Sequence, residues 1–246
     1  MPLSRVLIPL GNFFFKYRDL LSPVVFVLIV LFFRPRWPMN DARLNVVTDS
    51  LGILLVVAGA VLRSAVIGYA YIKRGGKDKQ VYADKLVVEG FFAHSRNPLY
   101  VGNYLTILGL FVILYNPWAF VVGLGFYTLL YLAIVSAEEN FLLNKFGQQY
   151  LDYCSRVSRF LLNFTGMRES LKDMSWDWRR VVRKEYGTTF TWVMCVLGLL
   201  AWEHYLYFGY TTKDLVYWVV GILFGLACIG WVAARWGKKT ERLGSG

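Results

Sequence analysis

The chain has 246 residues, 57% of them apolar and 17% aromatic, with a formal net charge of +11. Its mean hydropathy of +0.44 lies outside the usual range of a soluble domain this long, which makes membrane integration the first reading. Cys154, Cys195 and Cys228 show no CxxC spacing and no His-rich neighbourhood, so neither a disulfide framework nor a metal site is expected.

A hydrocarbon core of about 30 Å needs roughly 20 apolar residues per helix. In chain order, Leu20 to Phe33 falls short of that and spans only if Arg34 and Arg36 snorkel to the headgroups. Ser50 to Ile72, Pro98 to Tyr115, Pro117 to Ala137, Thr188 to Phe208 and Leu215 to Arg235 each qualify. No small-residue cleavage site follows a short apolar core at the N-terminus, so no removable signal peptide is expected. The expected fold is an all-α integral membrane protein of six transmembrane helices.

Lys and Arg concentrate in cytoplasmic loops. With the N-terminus inside, 22 of the 27 basic residues face the cytoplasm, four (Arg34, Arg36, Arg43, Lys213) face outside, and Arg63 lies within a span. Both termini and both long polar loops are therefore expected to be cytoplasmic. Attraction to anionic headgroups accounts for the charge, and no nucleic-acid partner is expected.

Three parts are expected: 1–49, an N-terminal segment and first span; 50–165, a core of three spans with cytoplasmic segments; and 166–246, a basic interfacial segment with two accessory spans. Trp176, Trp178, Arg179, Arg180, Arg183 and Lys184 suit a helix lying on the membrane surface, an ordinary solvated loop being the alternative. Tyr115-Asn116-Pro117 must turn the chain alone, so the spans on either side form a tight hairpin whose inner ends, Pro98 and Ala137, come together. His94-Ser95-Arg96-Asn97 and Glu138-Glu139-Asn140 then share one corner.

Adjacent carboxylates at a membrane edge must be solvated, paired or used. Neighbours on a helix point about 100° apart, so Glu138 and Glu139 are not a matched dyad. Arg63, in mid-span, must face protein, water or a ligand. It forms either a structural ion pair, with Glu138 or Glu139, or a seat for an anionic substrate group. His94 is either a hydrogen-bonded surface group or a proton acceptor, while His204 belongs to the aromatic belt at the outer end of the fifth span.

GFFAHSRNPLYVGN, residues 90–103, resembles the pattern G-x-[YF]-x-x-x-R-[HN]-P-x-Y-x-G of the integral-membrane methyltransferases related to isoprenylcysteine carboxyl methyltransferase and the phospholipid methyltransferases. AEENFLLNKFGQQYLDYCSRVSRFL, residues 137–161, is similar to that family's E-E-x-x-L, F-G-x-x-Y-x-x-Y and V-P-R-F segments, and Leu62-Arg63 to its late-span arginine. The resemblance covers about residues 50 to 163. It implies an enzyme with a cytoplasm-facing pocket for S-adenosylmethionine, bound by Asp84, Lys85, Leu86, Val87, Phe92, Asn97, Pro98, Leu99 and Tyr100 and closed by Glu138. The residue chemistry agrees: a sulfonium donor with an amino-acid tail needs carboxylate and aromatic faces for its cations and donors such as Arg96 for its carboxylate.

The expected acceptor is a membrane lipid, favoured as a phospholipid or other lipid amine. Glu139 or His94 would take its proton, with Arg96 beside them and Arg63 binding substrate. Ile134 stands where the prenylcysteine branch carries a substrate-contacting arginine, Phe92 has lost the family's frequent tyrosine hydroxyl, and Ser158 replaces the usual proline. Alternatives are carboxyl O-methylation of a prenylated or other lipophilic acceptor, a nicotinamide-dependent sterol-type reductase, and a non-catalytic lipid-binding scaffold. The last two spans would shape a lipid portal or a homo-oligomer interface.

Overall fold

The computed structural model describes residues 2–69, 81 and 83–240, with the side chains of 2–5 left aside. Among the described residues there is no strand. The helices are α1 (Pro2–Phe32), α2 (Ala42–Tyr69), α3 (Pro98–Leu114), α4 (Pro117–Phe146), α5 (Gln148–Arg156), α6 (Met167–Lys172), α7 (Trp178–Phe208) and α8 (Leu215–Lys239). The all-α expectation holds. Among the described residues three helices, α2, α4 and α8, are long and apolar enough to cross a membrane, and α3 is a shorter apolar helix. The expected inner end of the second span, at Ile72, lies outside the described residues.

Glycines let α2 and α3 touch backbone to backbone. A Cβ on Gly59 would stand 2.5 Å from the Gly102 carbonyl oxygen, and one on Gly52 would stand 2.7 Å from that of Gly109. The seven-residue interval within each helix keeps both pairs on one seam. Gly11 does the same for α1 against α4, where a Cβ would lie 2.0 Å from the Ala133 carbonyl oxygen.

The Asn116-Pro117 turn is as tight as expected. Tyr115 ends α3 in a left-handed conformation (φ 43°), and Asn116 caps α4 by accepting from the backbone N–H groups of Trp118 and Ala119. The Asn116 amide also donates to the Arg34 carbonyl (3.0 Å). The joined helices nevertheless find their main partners elsewhere, α3 on α2 and α4 on α1. Tyrosines bridge them: Tyr104 and Thr128 share a hydrogen bond (2.9 Å), and the Tyr100 and Tyr131 rings are 5.7 Å apart. The core holds Phe111, Ile113, Leu114 and Tyr127, fully buried, with Val196 and Leu199 of α7 packed into it.

The basic, Trp-containing segment after α6 leads directly into a long helix. Trp176 sits between α6 and α7 with its ring over Gly68, 2.4 Å from where a Cβ would be. Asp177 then caps α7 by accepting from the Arg180 N–H (2.9 Å), so Arg179 to Lys184 are the first turns of a helix that continues to Phe208. An N-cap at this position starts one long helix.

Candidate functional site

Residues 94–97 run beside 158–163. The Arg96 N–H donates to the Ser158 carbonyl (2.9 Å), the Asn97 amide to the Arg159 carbonyl (3.0 Å), and the Asn163 N–H to the His94 carbonyl (3.0 Å). The Ser95 hydroxyl adds a bond to the Phe160 carbonyl (3.3 Å) and is wholly buried. Ser158, in the proline's place, donates its hydroxyl to the Leu161 carbonyl. Behind this pair, Tyr153 of α5 donates to the Phe92 carbonyl (2.7 Å). The polar stretch before Pro98 is thus half of a hydrogen-bonded clamp whose other half follows α5.

Glu138 and Glu139 point apart, as helical geometry requires. Glu138 turns toward α3, where the Tyr100 hydroxyl donates to it (2.7 Å) while accepting from the Arg18 guanidinium (3.2 Å). Glu139 turns toward the clamp. Arg159 reaches its Oε2 at 2.7 Å and Arg96 its Oε1 at 3.4 Å. Burial works against the Arg96 charge, but Glu139 and Cys154 outweigh it and raise its pKa, so the guanidinium remains ionised.

Residues 83–87 reach this corner from the other loop. The Lys145 ammonium donates to the Ala83 carbonyl at the end of α4, and Val81 packs against the Phe14, Phe15, Leu130 and Ile134 cluster alongside Tyr100. Leu86, Val87 and Phe92 are half-buried, whereas Asp84 and Lys85 are exposed. Asn97 and Pro98 are buried, and Leu99 and Tyr100 half-buried, at the start of α3.

Two expected members stand apart. His94, 6% exposed, shares a hydrogen bond from its Nε2 with the Ser170 hydroxyl of α6 (2.9 Å). Arg63 does not pair with Glu138 or Glu139. Its Nε and Nη2 hold the two oxygens of Glu185 on α7, at 2.9 and 2.8 Å, and Nη1 donates to Asn103. The reason is packing: Gly102 brings α3 against the Arg63 stem, a Cβ there lying 2.6 Å from Arg63 Cγ. The guanidinium is thereby framed between α3 and α7. Arg18, Tyr131 and Arg159 complete the corner and were not singled out from sequence. Of these, only Arg159 had a signal, its place in the VSRF segment.

The donor set fits a ligand carrying both a cation and a carboxylate. Glu138, Tyr100 and Tyr131 offer a carboxylate and aromatic faces, and the buried Nε atoms of Arg96 and Arg159 have no hydrogen-bond partner. Leu86, Val87 and Phe92 supply apolar surface.

Residues 47–149 match the family model described as phospholipid methyltransferase. Among curated proteins, the chain is 32% identical over 128 residues to a protein-S-isoprenylcysteine O-methyltransferase of Mus musculus, covering 50% of this chain and 44% of that one. It is 32% identical over 119 residues to one of Tribolium castaneum (44% and 40%), and 25% identical over 114 residues to protein-S-isoprenylcysteine O-methyltransferase B of Arabidopsis thaliana (44% and 56%). The chain spans about half the length of these relatives. No solved structure matches it significantly. The residues matched by the family model run from α2 to the start of α5, and methyltransferases of this family generally use S-adenosylmethionine.

Proposed function

We propose that the chain transfers a methyl group from S-adenosylmethionine to a lipid acceptor held in the membrane, most simply an amine on a phospholipid or other lipid. The observation that carries this reading is the divergence of the paired carboxylates within the matched segment. Glu139 is neutralised by Arg96 and Arg159, and Glu138 lies on Tyr100 beside the tyrosine wall. In this reading Glu138, Tyr100 and Asn97 to Leu99 hold the amino-acid end of the donor, with the Arg96 Nε turned to its carboxylate. Leu86, Val87 and Phe92 line the adenine, and Asp84 and Lys85 close the rim. When bound, the donor supplies an electrophilic methyl on sulfur, and the chain's contribution is in-line positioning and exclusion of water.

An ammonium acceptor must lose a proton before it attacks. Glu139 and His94 are the groups proposed for that step, and their surroundings differ. Glu139 is paired with two arginines, which suits it to fixing Arg96, whereas His94 Nε2 shares a hydrogen bond with a single serine hydroxyl. Arg63 is proposed to meet an anionic group of the acceptor by exchange with Glu185. The pocket is proposed to open to the cytoplasm, with both termini on that side and six spans in all. Self-association would use the last two spans.

Carboxyl O-methylation is the second reading, favoured by the names of the curated relatives. Against it stands Ile134, fully buried beside Phe14 and Phe15, where the prenylcysteine branch resembles this site but carries an arginine. The test is incubation of the full chain in vesicles with isotopically labelled donor and both acceptor classes. Label on a lipid amine, absent with Glu138→Ala, is the expected result. Label released by mild base as methanol, the product of methyl-ester hydrolysis, would favour the second reading, and no transfer to either acceptor would contradict both.

A further inference from the structure

Beyond the donor corner, the molecule has a groove of about 270 Å³ between α2, α7 and α8. Its walls are Val181, Val182, Phe190 and Val193 of α7 against Ala227, Gly230 and Trp231 of α8. From Val181 to Val193 it follows α7 for about 18 Å at 1.5 Å rise per residue, the dimension of an acyl chain lying along a helix. Glu185 and Ser64 lie at its floor. That carboxylate is matched by the Arg63 guanidinium (2.8 Å), so the floor does not repel an anion as a bare acid would.

Two cations stand at the end of the groove nearest the start of α7. The Lys238 ammonium is 5.5 Å from the Tyr186 ring and the Arg235 guanidinium 5.0 Å from the Trp231 ring. On α8, Ala227, Trp231 and Lys238 fall on one helical face, so groove and cations are in line. Both cations are on exposed residues. Small residues open the groove, aromatic rings flank its mouth, and positive charge caps it. Basic pockets between membrane helices are where anionic headgroups bind.

We propose that this groove binds one anionic glycerophospholipid, with an acyl chain between α7 and α8 and the phosphate at Arg235 and Lys238. Its walls and its two cations belong to α7 and α8, outside the matched segment, while Ser64 and the Arg63 partner of Glu185 lie on α2 within it. The proposal commits to a lipid of the leaflet at the Trp178 end of α7, and not to a second copy of the chain.

The test is native mass spectrometry of the full chain taken from bilayers of phosphatidylcholine with or without phosphatidylglycerol. One retained phosphatidylglycerol per chain is expected, with phosphatidylcholine retained far less. Arg235→Gln with Lys238→Gln, both at exposed positions, should lower retention about tenfold or more, at roughly 1 kcal/mol per surface cation. Gly230→Leu should abolish it, because a Cβ there meets nothing within 4 Å and the side chain would fill the groove without strain. Equal retention of the two lipids, unchanged retention in Gly230→Leu, or a chain dimer that excludes lipid would each overturn the proposal. Donor titration of the same variants keeps the result distinct from the methyl-transfer reading, because it should be unaffected.

Discussion

Two arginine and glutamate contacts in this molecule look alike on paper and differ in kind. The Arg63 and Glu185 side chains are 4% and 5% exposed, and together with Asn103 they use every nitrogen of the guanidinium. At the other contact, Glu139 is 20% exposed and its partners Arg96 and Arg159 are 17% and 33% exposed, with an unpartnered Nε on each arginine. The first contact is saturated and dry, and it joins α7, from outside the matched segment, to the core. The second retains donors for a ligand and borders solvent. Burial alone does not mark a functional charge; unused hydrogen-bonding capacity does so better.

The largest effect should come from breaking the dry pair on one side. Glu185→Ala leaves the Arg63 charge buried without its counter-ion and should cost about 3–5 kcal/mol, read as a lower midpoint of thermal unfolding in detergent. Arg63→Met with Glu185→Leu removes both charges at similar volume and should recover most of that loss. If Arg63 also seats the acceptor, the double variant will fold yet show a raised KM for lipid with donor affinity unchanged. Unchanged KM would confine Arg63 to architecture.

Next in size is the donor corner. Tyr100→Phe removes an internal hydrogen bond to a carboxylate, which should cost up to about 1.5–3 kcal/mol of folding stability, and donor affinity measured by calorimetry should fall as well because Glu138 loses the partner that orients it. Arg159→Gln loosens the clamp on Glu139. It should weaken donor binding by a smaller factor, since Arg96 still faces the same carboxylate at 3.4 Å.

The smallest effect belongs to the cap that begins α7. The backbone N–H of Arg180 holds the Asp177 carboxyl below its ordinary value of 3.8. Because the folded value is the lower, this contribution is present above about pH 4 and is lost as pH falls through the folded pKa. Asp177→Ala should cost about 1 kcal/mol at neutral pH, measured by chemical denaturation, and the difference from wild type should vanish in acid.

Much of this architecture was legible where the signal was local. The Asn116-Pro117 turn, the divergence of Glu138 from Glu139 and the helical class all follow from residue type and 3.6-residue geometry. The segments proposed to bind the donor also carried readable motifs. The partner of Arg63 did not, because Glu185 lies 122 residues away inside RRVVRKEYG, where one acid among basic residues reads as part of a solvated face. Composition likewise cannot show that Trp176 has a glycine, Gly68, to lie upon. His94 reads as a candidate base because it sits inside the polar cluster, and its bond to Ser170 is visible only once α6 is folded back over Gly90 and Phe91.

The central claim is that the corner of Arg96, Asn97, Tyr100 and Glu138 binds the methyl donor. Calorimetric titration of S-adenosylmethionine into the full chain, compared with Glu138→Ala of equal thermal stability, tests it most directly. The account predicts saturable binding in the wild type and a loss of at least tenfold in the variant. Equal affinity in the two proteins would contradict it.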